Sequence, residues 1–459
     1  MEAPHVESAD KTTLRDWTAF EEYVDQVMKE DHIVGAAVAI ANGKEVLYAK
    51  GFGVKNVASG EPVTPGTIFG CASVSKSFTA VAITQLADQS KLSVDDPVVK
   101  HIPEFRLIGE EDMDDVKVRH LLSHTTGLPP MRRREDVTGF EKHVEYLATE
   151  QYELLGEPGE YFSYANDAFL LNGFIIQRLS GQLYRRYMTG HVLDAIGMNR
   201  STYNLEELQK LSDVSTPYVY NKKTGQHEEK PWPVLGTYEV GGGVRSCVVD
   251  LMKYGQVYLN GGVAAGGQGI VSRKGLEKMR RPVYQVGRKT HYCLGLQVTP
   301  GYAGKGITLV EHGGGQPGVS SNFGFVPEEG ITVAVLTNVT GVPAGAIWLA
   351  AVNTAVGLPL DTKRSVETEW NAPPEHLAKL AGAYVSAEDG NIAILMEDGA
   401  LKLKMADEEF PLKASDERTL FFEAMGQQQV LRFYFDEKKD ADKPWAVLAH
   451  SRMHRRAGQ

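Results

Sequence analysis

Cysteine is scarce: Cys71, Cys247 and Cys293 are the only three in 459 residues. Their number is odd and their spacings wide, so neither a disulfide framework nor a thiolate zinc site is expected. No apolar run is long enough to span a bilayer. Met1-Glu2-Ala3-Pro4-His5 is not a basic segment followed by an apolar core, so no secretory signal is expected and the expected location is cytoplasmic. Positive charge is in deficit, with 48 Lys and Arg against 59 Asp and Glu and a formal net charge of −11. That balance argues against nucleic acid or an anionic membrane as the main partner. His-Glu-x-x-His and Gly-x-Ser-x-Gly are both missing, which leaves a zinc peptidase and an α/β-hydrolase nucleophile without support. Gly313 to Gly318 spells Gly-x-Gly-x-x-Gly, but Pro317 and the strand pattern after it spoil a dinucleotide fingerprint, so no cofactor and no metal are expected.

What is present is an ordinary globular composition, 42% hydrophobic and 23% charged, in a chain long enough for two domains, one of them large. Trp17, Phe20, Tyr23, Val24, Val27 and Met28 recur at helical spacing, which predicts an amphipathic helix over 14–29. Strands over 34–40 and 45–51 flank Asn42-Gly43, a hairpin signal. Helices with Pro- and Gly-rich connections are expected from Val94 to about Arg200, with 168–180 a strong run. Strands return at 307–311, 319–326 and 331–337, the last two joined by a turn at 327–330, and 344–356 reads as a buried helix. After a polar stretch over 361–374, short alternating runs predict a small antiparallel barrel or half-barrel. The expected organisation is a tail over 1–13, a large domain over 14–360, a flexible linker over 361–374 and a β domain over 375–459. The fold class is α+β, an antiparallel sheet covered by helices.

Ser73 stands three residues before Lys76 at the start of an apolar run through Phe78, Val81, Ala82, Ile83 and Leu86. On a helix that spacing puts the hydroxyl and the amine on one face, where a desolvated neutral lysine can take the proton of a serine nucleophile. A capping serine and a surface lysine would satisfy the same spacing, and Ser8-Ala9-Asp10-Lys11 matches it within a polar tail. Cys71, close by, reads as a small packed side chain. Two further sites add weight. Tyr164-Ala165-Asn166 follows the turn-rich stretch 156–163, and a phenol held near cations can relay the serine's proton. His312-Gly313-Gly314-Gly315 follows the strand over 307–311, and glycines there let backbone N–H groups approach a substrate. The N–H of Gly315 can join that of Ser73 in an oxyanion hole. Tyr258-Leu259-Asn260 reads as structural, the acidic residues from Glu110 to Asp115 as a solvated loop, Arg132-Arg133-Arg134 as a surface run, and His450 and His454 as exposed.

With these motifs in this order, and with 121–128 and 241–246 as accessory stretches, residues 14–358 resemble the serine β-lactamase and penicillin-binding-protein superfamily. The resemblance is to its class C-like branch of hydrolases, esterases and D-amino-acid peptidases. It implies an all-α lobe beside the sheet with the active-site cleft between them, and a C-terminal barrel like the lipocalin-like domain of some members. It implies Ser73 as acylated nucleophile, Lys76 as base, Tyr164 as proton relay and His312 at the third motif, with Asn166, Gly313 and Gly314 against the substrate. Penicillin-targeted members usually carry Lys-Thr-Gly at that third motif, and His312-Gly313-Gly314 supplies neither a permanent cation nor a hydroxyl. The expected activity is therefore acyl-enzyme hydrolysis of small amides, short peptides (D-amino-acid peptides included) or carboxylic esters. A β-lactamase and a non-turnover penicillin-binding sensor are the alternatives. The expected partners are the substrate and, through the β domain, a homo-oligomer.

Overall fold

The computed structural model describes residues 16–388, 390–436 and 442–458. The second Ser-x-x-Lys match at Ser8, the expected tail and Leu14 lie outside these. Helix α1 (Thr18–Glu30) buries Phe20, Val24, Val27 and Met28 as its spacing predicts. Strands β1 (Gly35–Asn42) and β2 (Glu45–Gly53) form the hairpin. Asn42 pairs with Glu45, so the turn is Gly43-Lys44, with Gly43 at φ 54°. Helices α2 (Ser75–Asp88), α3 (Val118–Ser123), α4 (Phe140–Thr149) and α5 (Leu171–Ser180) make up the lobe between the hairpin and the rest of the sheet. Helix α6 (Val248–Leu259) contains Tyr258, whose hydroxyl bonds Tyr254 inside the core, in keeping with its structural reading.

The sheet continues with β3 (Tyr284–Gln285), β4 (His291–Tyr292), β5 (Gln297–Tyr302), β6 (Ile307–Gln316), β7 (Val319–Val326) and β8 (Ile331–Thr337). All eight strands are antiparallel in the order β2-β1-β8-β7-β6-β5-β4-β3, so the first strand lies against the last. Alternation divides two cores. Ala37, Ala39 and Ala41 of β1 face α2, α6 and the helical lobe, whereas Ala36, Val38 and Ile40 face α1 and α7 (Ala344–Ala355). One finding departs from the sequence reading: β6 does not end at Glu311 but runs through His312 and the glycines to Gln316. Pairing with β7 holds it out to Gln316, while β5 leaves it after Glu311.

The 361–374 segment is docked rather than flexible. Glu311 on β6 is buried, and a buried carboxylate needs a partner; Arg364 supplies two contacts to it, at 2.6 and 2.7 Å. Backbone N–H groups of Glu367 and Trp370 then bond Gln428 and Ala414 at 2.7 and 2.8 Å. After α8 (Pro374–Leu380) come β9 (Gly382–Ser386), β10 (Gly390–Glu397), β11 (Ala400–Met405), β12 (Glu408–Asp416), β13 (Thr419–Ala424), β14 (Gln427–Tyr434), β15 (Ala446–Ala449) and β16 (Arg452–Arg456). They form a closed barrel, β16 pairing back on β9, which removes both sheet edges. The alternating runs at 392–396, 401–405, 419–423, 430–435 and 446–451 fall on β10, β11, β13, β14 and β15, whereas β9, β12 and β16 carry no such pattern. His454, expected to be exposed, is 1% exposed and buried on β16. Leu155, Phe162, Tyr164 and Tyr292 share one apolar cluster with Trp445, Leu448 and Met453, so the barrel packs against the sheet-and-helix part of the chain. Among the described residues no helix is long and apolar enough to cross a membrane.

Candidate active site

Ser73 lies on a 3-10 turn, Ala72–Val74, that runs straight into α2. Ala72 has φ 45°, a left-handed conformation that costs an L-residue about 1–2 kcal/mol and is held here by the packing around the turn. Lys76, in the first turn of α2, is 1% exposed. Its Nζ is 3.3 Å from Ser73 Oγ, 2.9 Å from Asn166 Oδ1 and 3.3 Å from the Gly241 carbonyl. Burial lowers its pKa from the ordinary lysine value to about 7; the Arg452 guanidinium pushes the same way and Glu388 opposes. The ammonium also lies over the rings of Tyr164 and Phe169, at 4.8 and 5.2 Å. Glycine at 241 is a matter of space, since a Cβ there would sit 2.7 Å from Lys76 Nζ.

Tyr164 is buried, with its ring stacked on His124 at 3.9 Å. Its phenol makes no hydrogen bond of full geometry. Burial raises its pKa well above the ordinary value, and the nearby Ser73 hydroxyl and Arg452 pull it part of the way back. The backbone around it is fixed from two sides. Ala165 N–H donates to His124 Nδ1 at 3.1 Å, and Tyr164 N–H donates to the carbonyl of Ser451, a barrel residue, at 2.8 Å. Asn166 begins a short helical turn, Asn166–Phe169, and spans the site: Oδ1 accepts from Lys76 and Nδ2 donates to Glu388 at 3.1 Å.

His312 is buried, and its two ring nitrogens are both engaged. Its Nδ1 is 2.6 Å from the Gly313 carbonyl, so that nitrogen carries the proton, and its Nε2 accepts from Tyr292 Oη at 2.9 Å. Burial, with Lys76 adding repulsion, lowers its pKa to about 3. The imidazole is neutral at any ordinary pH. Gly314 is where β6 crosses the Ser73 turn: a Cβ there would lie 2.4 Å from the Cys71 carbonyl and 3.0 Å from Ser73 N. Gly315 has open space around the same position. Gly315, Ser73, Asn166, Gly241 and Gly242 line one cavity of about 100 Å³. Of the residues singled out from sequence, Ser73, Lys76, Tyr164 and Asn166 converge, Gly314 and Gly315 lie on the facing strand, and His312 bonds Gly313 and Tyr292. Cys71 is buried, and burial raises its thiol pKa.

Several residues at the site carry no sequence signal. Glu388 comes from the turn between β9 and β10, and Arg452 is the first residue of β16. They pair with each other at 3.1 Å, and Arg452 covers the Tyr164 ring at 4.7 Å. Arg133, taken from sequence as part of a surface run, stands in the cavity wall with Tyr238 and Asp167. His124 and Gly241 fall in the accessory stretches, where their roles were not assigned. A contact between turns more than 200 residues apart leaves no local pattern to read.

A family model described as Beta-lactamase matches residues 20–355. Protein flp of Staphylococcus aureus (strain MW2) is 31% identical over 213 residues, 43% of this chain and 43% of its own length. The chain thus spans less than half the length of that curated relative. Penicillin-binding protein 4* of Bacillus subtilis (strain 168) is 27% identical over 315 residues, 64% of this chain and 66% of that protein. The octameric penicillin-binding protein homologue from Pyrococcus abyssi superposes with a TM-score of 0.70 at 27% identity, covering 96% of this chain and 99% of that one. That overlap takes in the barrel as well as the sheet. The family match runs from α1 to the end of α7 and includes every sequence-derived residue of the site: the chain belongs to the Beta-lactamase family.

Proposed function

We propose that this chain is a serine hydrolase that works through an acyl-enzyme on small amides or short peptides, D-amino-acid peptides included, or on carboxylic esters. The observation that carries the reading is the buried Lys76 amine 3.3 Å from Ser73 Oγ, with its pKa lowered to about 7. As a neutral amine it accepts the Ser73 proton while Oγ bonds to the carbonyl carbon. The N–H groups of Ser73 and Gly315 hold the developing oxyanion, a contribution of about 3–4 kcal/mol per donor to the transition state. The proton then passes, with Tyr164 as relay, to the leaving nitrogen or oxygen as its bond to carbon breaks. Water repeats the sequence on the ester, giving its proton to the same pair and returning Ser73. Asn166 Nδ2 is the group suited to a substrate carbonyl, and His312 holds the Gly313 backbone and Tyr292 in place. A neutral imidazole at the third motif gives a β-lactam carboxylate no cation, which favours amides and esters over penicillins. A homo-oligomer is supported by the octameric state of the Pyrococcus abyssi homologue; a solution mass of one chain would refute it.

The test is a panel of chromogenic esters, D- and L-aminoacyl anilides and a chromogenic cephalosporin, compared by kcat/KM. We expect turnover of an ester or anilide that Ser73→Ala abolishes and Tyr164→Phe cuts by about 10²–10⁴-fold. Near-normal rates in Ser73→Ala would sink the mechanism. Stoichiometric labelling of Ser73 without turnover of any substrate would favour a sensor.

A further inference from the structure

The three consecutive arginines have different fates. Arg132 is exposed, and Arg134 pairs with Asp136 at 2.6 Å and Glu150 at 3.5 Å. Arg133 alone lines the Ser73 cavity, and it has no ion pair among the described residues. Its guanidinium lies over the Tyr238 ring at 4.8 Å, Nη2 makes one long 3.5 Å contact with the Val234 carbonyl, and the buried Nε has no partner. The carboxylates of the same wall have hydrogen-bond partners of their own. Asp167 accepts from Tyr238 Oη at 2.7 Å and faces His143 Nε2 at 3.3 Å, while Glu388 is held by Arg452 and Asn166. Gln316, next to Gly315, also lines the cavity, with its amide oxygen on the Gly242 side and its Nε2 buried toward Gly70. The wall therefore offers a guanidinium with no ion pair of its own among the described residues, and its carboxylates are hydrogen-bonded elsewhere.

We infer that Arg133 forms a carboxylate-binding subsite for the acyl portion of the substrate, an inference that rests on the serine hydrolase reading above. The acyl portion is the part that stays on Ser73, and Arg133 shares the small cavity that holds Ser73 and Gly315. A guanidinium suits a carboxylate because its planar fork gives two parallel N–H···O bonds. Stacking on Tyr238 fixes that plane beforehand, so less freedom is lost on binding. Partial exposure keeps the attraction modest and sensitive to salt.

The test uses two near-isosteric activated esters, adipic acid mono-(4-nitrophenyl) ester and 4-nitrophenyl 5-carbamoylpentanoate, on the full-length protein. The wild-type kcat/KM is expected to favour the carboxylate by about tenfold at low salt, with the preference shrinking as salt rises. In Arg133→Met the preference should fall to about one, Arg133→Lys should keep part of it, and the exposed Arg132→Met should keep all of it. Each ratio is internal to one protein, so partial misfolding of a variant affects both esters alike. A wild-type ratio at or below one, or a preference that survives Arg133→Met, overturns the subsite while the hydrolase reading stands. Failure of both esters to turn over in a Ser73-dependent way overturns the hydrolase reading, and the subsite with it.

Discussion

Lys76 is a cation in the unfolded chain and a base in the folded one. Between pH 7 and 10.5 the unfolded chain holds a proton at this residue that the folded protein has lost. Its contribution to stability therefore rises with pH across that window, and its cost is full below about pH 7. Lys76→Met removes the titration, so its melting temperature relative to wild type should be highest near pH 6 and decline toward pH 10. A difference that does not vary with pH in thermal melts would show that the amine is not desolvated. Activity should follow the same group, with kcat/KM of the wild type falling tenfold per pH unit below about 7. At this scale the sequence is legible: Ser73, Lys76, Tyr164 and Asn166 stand out as candidates by spacing and order, and the fold brings the four together. His312 was placed at the site, but its neutrality and its bond to Tyr292 depend on burial that no local pattern specifies.

Strand β6 shows how an element is fitted to its neighbour. The glycines at 314 and 315 look alike in sequence and differ in space. A Cβ at 314 would meet the Cys71 carbonyl and Ser321 Oγ at 2.4 Å each, whereas one at 315 meets nothing within 4 Å. Gly314→Ala should push β6 from the Ser73 turn, lowering kcat/KM by at least about 100-fold and the melting temperature measurably. Gly315→Ala should leave the melting temperature within a degree or two, because no contact is violated. Equal melting temperatures for the two variants would refute the close approach. Helix α1, the first hairpin, β7, β8 and α7 were readable because amphipathic or wholly apolar runs of that length have few alternatives. The length of β6 was misread because glycines score against a strand, yet pairing with β7 carries it to Gln316. Strands β9, β12 and β16 were missed for a related reason: their outward residues are polar, and closure of the barrel supplies the pairing that propensity does not.

At the scale of the whole molecule, two barrel turns complete a site whose nucleophile lies on the other part of the chain. His450 and Ser451 adopt φ 46° and 67°, so this turn is formed by residues that seldom take that conformation. It places the Ser451 carbonyl on Tyr164 N–H and Arg452 over the Tyr164 ring. Arg452 lowers the pKa of Lys76 and Glu388 raises it. Arg452→Met should therefore move the acidic limb of the kcat/KM profile to higher pH, and Glu388→Gln should move it to lower pH. Shifts of the same sign, or none, would show that the barrel does not set the electrostatics of the site. The sequence by itself determined the helix and strand periods, the composition of the barrel and the chemistry of the Ser73 turn, because these depend on residues a few positions apart. Only the tertiary structure decided that the 361–374 segment is pinned by Arg364 to Glu311, that Arg133 faces the cavity, and that Glu388 and Arg452 reach Asn166 and Tyr164. The Arg364–Glu311 and Arg452–Glu388 pairs join charges distant in sequence, and burial of Glu311 is what makes Arg364 necessary; Arg133 is set by stacking on Tyr238.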